Sequence, residues 1–147
     1  MKGLDLYKWI AGSMQDFVKP FHDNEALYNQ AQNFWRQLES ESPIIIGLFI
    51  CIGIGLAFFY YCPYNEMPGR HYLPKHWLMF LLATFLVSLL FTLGCEYIVT
   101  EPKLQGSFGL ELRIAIGNAI YASLLYFATS FVWCNWLKTN AFRIFKI

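Results

Sequence analysis

Two histidines, His71 and His76, stand five residues apart in the stretch YCPYNEMPGRHYLPKHW, with Cys62, Glu66 and Arg70 close before them. These side-chain types ligate metal ions and move protons. Helical zinc sites, however, set two histidines one turn apart, and other zinc sites use short paired Cys/His clusters. Neither pattern occurs here. Pro74 lies between the histidines and reads as a helix start, which puts His71 before that helix and His76 inside it. The chain also lacks a Gly-x-Ser-x-Gly nucleophile turn, a glycine-rich phosphate cradle and a basic–aromatic pattern for nucleic acid. An enzyme using His71, His76 and Glu66 is therefore the weakest reading, and the expectation is a non-enzymatic chain with no metal, cofactor or nucleic acid.

The same stretch makes good sense as a turn at a membrane surface. Pro68 and Gly69 suit the middle of a type II turn, where the second residue must tolerate positive φ. Pro63 is expected to stop the preceding helix. Tyr60, Tyr61, Tyr64, Tyr72 and Trp77 are ring types that settle at headgroup depth. About fourteen residues exceed a minimal turn, so Glu66, Arg70, His71 and His76 are read as a docking loop for a partner.

A second candidate set lies inside apolar runs. Thr84, Ser88, Thr92 and Glu96 recur every four residues, a stripe that winds by 40° per step on a helix of 3.6 residues per turn. Hydroxyls in lipid can bond back to their own helix, which is the plain reading. Glu96 is different, because an acid within a span finds a partner or faces water. Arg113, with Lys103 as second choice, is expected to pair with it, either tying two spans together or serving transport. Asn118 and Thr129 place further polar groups on the third run.

Small residues form the third set. Gly47, Cys51 and Gly55 make one row of four-residue steps, and Gly53 and Ala57 a second. Ala115, Ala119 and Ser123 repeat the spacing. Such rows let helices approach closely where lipid supplies no hydrophobic drive. Glycine is also simply commoner in membrane helices.

The elements that carry these residues follow from composition. The chain of 147 residues is 56% hydrophobic and 14% charged, against about 25% charged in a soluble domain. Its apolar runs, about 44–61, 77–99 and 114–137, contain one charge, Glu96. About 20 apolar residues cross the hydrocarbon layer, and backbone polar groups there must be satisfied within a helix. The expected fold is an all-α integral membrane protein with three transmembrane helices. Residues 43–147 form that domain.

Residues 1–42 form a separate amphipathic amino-terminal region of two helices, the first carrying Tyr7, Ile10, Met14, Phe17, Val18 and Phe21, the second Leu27, Ala31, Phe34, Trp35 and Leu38. Asp23 or Asn24 reads as the second helix's cap, and Ser42-Pro43 as the start of the first span. The region's four basic and six acidic residues disfavour a lipid-surface role and favour protein packing. Nothing at the amino end reads as a cleaved signal peptide, and Cys51, Cys62, Cys95 and Cys134 do not read as a disulfide framework.

Basic residues near the spans number five on the side of the quoted loop and carboxyl tail (Arg70, Lys75, Lys138, Arg143 and Lys146). The other side has three (Arg36, Lys103 and Arg113), so the loop and tail are expected in the cytoplasm. The reading places the chain in a bacterial inner membrane. It would be an oligomerising anchor or scaffold of a multiprotein envelope complex, such as a secretion-type machine, with the lipid bilayer, copies of itself or other complex subunits as partners. The alternative is an oligomeric pore or channel, a membrane-disrupting effector included.

Overall fold

In a computed structural model, residues 3–67, 73–100, 104, 106–137, 139, 141 and 143–145 are described. All regular structure among them is helical. A 3₁₀ turn at Gly3–Tyr7 leads into the short helices α1 (Lys8–Ala11) and α2 (Met14–Val18) and a second 3₁₀ turn, Lys19–Phe21. Three long helices follow: α3 (Glu25–Phe59), prolonged by a π-helical segment at Tyr60–Tyr64, then α4 (Pro74–Val99) and α5 (Phe108–Trp136). Glu25–Tyr64, Pro74–Val99 and Phe108–Trp136 are each long and apolar enough to cross a membrane.

The amino-terminal region differs from the expected pair of helices. Its first part is broken, because Gly12 takes a positive φ of 81° that ends α1. Ser13 then caps α2: its hydroxyl accepts from the Asp16 N–H, while the Asp16 carboxylate accepts from the Ser13 hydroxyl and N–H. Those two bonds from Ser13 hold Asp16 below the usual carboxylate range.

The expected second helix is not separate at all. Asn24 caps it, accepting from the N–H groups of Ala26 and Leu27, and it then runs straight through Ser42-Pro43 into the first span. A proline inside a helix removes the N–H that would reach the carbonyl four residues earlier, here Glu39. The Ser42 hydroxyl donates to that same carbonyl at 2.7 Å, so the acceptor is not left bare. Ser42-Pro43 is thus a repaired interior proline rather than a helix start. Accordingly, Ser42→Ala should destabilise the protein by about 1 kcal/mol, and by almost nothing in a Pro43→Ala background, where the backbone N–H returns. A double-mutant cycle of unfolding in detergent micelles checks this.

Pro63 likewise does not stop the helix. It is taken up in the wider π-helical turn, which relieves the ring's clash with the backbone, and the Asn65 side-chain amide donates to the Tyr60 carbonyl.

The chain divides into two compact units. The first comprises Met1–Leu48 and Leu89–Asn118. Its core holds Leu4, Tyr7, Ala11, Val18, Phe34, Trp35, Leu38, Ile45 and Ile114, with the Phe17 ring 6.0 Å from Phe34 and 5.8 Å from Trp35. Leu4, Tyr7, Ala11 and Val18 of the amino-terminal segment are therefore buried against their own chain, whereas Leu6 and Trp9 are exposed. The second unit comprises Phe49–Ser88 and Ala119–Ile147 and is markedly aromatic. Tyr60, Tyr61, Tyr64, Trp77 and Tyr126 are buried together with Ala57, Cys134 and Ala141. Trp77 donates its indole N–H to Ser130 at 3.0 Å, and Tyr126 donates to the Trp77 carbonyl at 3.3 Å.

Candidate functional site

Most of the polar residues within the spans are turned inward. Thr84, Ser88, Thr92 and Glu96 on α4, and Thr100 just past its end, are all at most 1% exposed. Thr84 bonds back to the Phe80 carbonyl at 2.8 Å, the plain role for a hydroxyl in a helix. Ser88 has no hydrogen-bond partner for its hydroxyl among the described residues. Thr100 extends the stripe by one more step of four, a continuation visible in the sequence.

In the first unit the stripe joins a buried hydrogen-bonded chain. Tyr7 donates to the Asn118 carbonyl oxygen at 2.7 Å, and the Asn118 amide donates to Thr92 at 2.6 Å. The Tyr7 ring fits over Gly117, where an added Cβ would sit 3.0 Å from its Cδ1. A residue from the amino-terminal segment therefore locks onto α5, and α5 onto α4. Sequence reasoning placed Asn118 but missed Tyr7, whose amphipathic helical pattern carries no sign of a bond to a residue 111 positions away.

Glu96 is 1% exposed, and neither carboxyl oxygen has a hydrogen-bond partner among the described residues. It borders a cavity of about 10 Å³ lined also by Leu38, Glu41, Ile44, Ile45, Cys95 and Val99. The expected pair with Arg113 is not formed: Arg113 is exposed. The buried row of α5 is Glu111, Ile114, Ala115 and Asn118. Arg113 stands two residues, about 200°, round the helix from Glu111 and so points away from that row. The acid at the start of α5 is the group that turns inward; Thr100 donates to the Glu96 carbonyl at 2.8 Å and lies 3.2 Å from Glu111 Oε1. Arg113 instead borders a cleft of about 370 Å³ together with Asp16 and Gly12. Lys103, the second choice, lies outside the described residues.

The small-residue rows separate into used and unused faces. Gly53 and Ala57 are buried, and a Cβ on Gly53 would fall 2.6 Å from the Ala122 carbonyl oxygen and 2.9 Å from Leu125 Cβ. This row is where α3 meets α5 in the second unit. Along the same helix, Gly47 and Gly55 have nothing within 4 Å of a would-be Cβ, and Cys51 is exposed. On α5, Ala115 and Ala119 are buried; Ser123 is half-buried and donates to the Ala119 carbonyl at 2.8 Å. Thr129 is half-buried, whereas its neighbour Ser130 is buried and receives the Trp77 bond.

Of the expected docking loop, Arg70 and His71 lie outside the described residues. The His76 ring meets Tyr64 edge-on at 5.7 Å, while Glu66 is exposed beside a cleft of about 550 Å³ that Arg143 also lines. Among the described residues no three His, Cys, Asp or Glu side chains are grouped as a metal ion requires.

Comparison with known proteins finds no matching family model, no similar curated protein and no similar solved structure.

Proposed function

We propose that this chain is a non-enzymatic integral membrane subunit, an oligomerising anchor or scaffold in a multiprotein envelope complex such as a secretion-type machine. The observation that carries the reading is the division of labour on α3. One small-residue row is consumed against α5, whereas Gly47, Cys51 and Gly55 keep open space above them. In lipid, helix association depends on close packing rather than on a hydrophobic drive, so an open row of this kind is a seat for a further helix. Trp9, 58% exposed on the amino-terminal segment, offers a second anchoring point.

The polar stripe of α4 motivates the alternative, an oligomeric pore. Its burial within a single chain leaves it no surface with which to line a lumen between copies, and this ranks the anchor reading first.

Mass measurement in mild detergent tests the proposal. A complex of several copies, or one with a co-purifying membrane subunit, is expected, and Gly55→Leu should dissociate it while leaving the helical content unchanged. A stable monomer with no co-purifying partner overturns the reading. Ion flux from the reconstituted protein that disappears in Glu96→Leu also overturns it, in favour of the pore.

A further inference from the structure

Glu66 and Arg143 border one cleft of about 550 Å³ in the second unit, together with Tyr61, Asn65, Trp133 and Thr139. The volume lies within the range that holds a small-molecule ligand, roughly 300–1,000 Å³. Both charged side chains are exposed, and no ion pair or hydrogen bond joins them to each other. A carboxylate and a guanidinium that share a cleft without neutralising one another present separated negative and positive poles.

The depth of the cleft adds a second constraint. Tyr61 ends the first apolar run, and Trp133 and Leu137 lie at the end of the third, so the cleft opens where the spans leave the hydrocarbon. Tyr61 and Trp133, both lining the cleft, stack with centroids 5.6 Å apart and planes 10° from parallel, which gives one wall an aromatic face. Aromatic rings with a polar edge are at home at headgroup depth. Thr139 accepts a bond from the Ala141 N–H at 3.0 Å, which leaves its own hydroxyl proton available for donation.

We infer that this cleft binds the zwitterionic headgroup of a phosphoethanolamine lipid. Arg143 takes the phosphate, for which its planar fork of donors is suited. The Thr139 hydroxyl donates to a further phosphate oxygen. Glu66 accepts from the primary ammonium, which carries three N–H donors that a quaternary ammonium lacks. The Tyr61–Trp133 wall and Leu137 adjoin the glycerol and the first methylenes of the chains. The inference rests on the membrane-spanning helices and not on the assembly reading, so its failure and the failure of that reading are distinguishable.

The test is lipid retention by native mass spectrometry of the full chain, released from micelles doped with phosphatidylethanolamine, phosphatidylcholine or phosphatidylglycerol. The wild type is expected to retain phosphatidylethanolamine about tenfold better than either competitor. Arg143→Gln should lower retention of the ethanolamine and glycerol lipids alike. Glu66→Gln should abolish the preference for ethanolamine while leaving binding of the glycerol lipid unchanged or improved. Both replaced side chains are exposed, and near-ultraviolet dichroism of each variant checks that the aromatic core is intact. Equal retention of the three lipids by the wild type, or a preference that survives Glu66→Gln, overturns the inference. So does binding of soluble glycerophosphoethanolamine as tight as that of the lipid, which would identify a free phosphodiester as the ligand.

Discussion

Gly53→Ala is expected to destabilise the protein by about 2 kcal/mol, and Gly53→Val to prevent native packing of the second unit altogether. In an exposed helix interior, replacing glycine by alanine is favourable by up to about 1 kcal/mol. At Gly53 the new Cβ meets the Ala122 carbonyl oxygen at 2.6 Å and Leu125 Cβ at 2.9 Å. Backbone carbonyls cannot rotate aside, so the two helices must move apart, and overpacking of this kind costs about 1–3 kcal/mol. The control lies two residues away. Gly55 has open space around it, so Gly55→Ala should be neutral or slightly stabilising for the isolated chain. Unfolding by denaturing detergent, followed for the two alanine variants in parallel, checks the contrast. Equal effects at the two positions would refute the assignment of the used and unused faces.

Asn118→Leu should cost about 2 kcal/mol and release the amino-terminal segment. The side chain is fully buried and makes two hydrogen bonds, to Tyr7 and to Thr92. Leucine has nearly the same bulk but leaves the Tyr7 hydroxyl without its acceptor and Thr92 without its donor. Hydrogen bonds between membrane helices average only about 0.6 kcal/mol in measured cycles, whereas stranding a buried polar group costs about 1–3 kcal/mol. The stranded groups therefore set the size of the effect. Tyr7→Phe removes one of the two bonds and should cost about half as much. Because both changes break the same bond, the double variant should be less destabilised than the sum of the singles. The structural consequence is read by trypsin, with cleavage after Lys8 faster in Asn118→Leu than in the wild type. Unchanged cleavage would show that the Tyr7 bond does not hold the segment.

These two sites mark how far residues alone lead. The three apolar runs are legible because charge is so strictly excluded from them that the one glutamate stands out. The small-residue rows are legible too, but both rows of α3 obey the same spacing, and nothing local says which one meets α5. That choice is made by Ala122 and Leu125, some 70 residues further on. Ser42-Pro43 misleads for a chemical reason: a hydroxyl residue followed by proline suits the start of a helix, yet the same hydroxyl can fill the acceptor that an interior proline strands. The Glu96–Arg113 pair fails on angle rather than on distance along the chain. Reading α5 by its buried row, with Glu111 in phase with Asn118, places Arg113 outside. Tyr7 and Arg143 were invisible as site residues because each gains its role from a partner or a cleft distant in sequence.

The placement of the tryptophans has a practical consequence. Trp9 and Trp136 are exposed, whereas Trp35 is buried in the first unit and Trp77 in the second. Each unit therefore carries its own internal chromophore. Variants that keep only Trp35 or only Trp77 would let the emission of one unit be recorded without the other, so that denaturing the two variants in parallel tells whether the units lose their structure in one transition or in two.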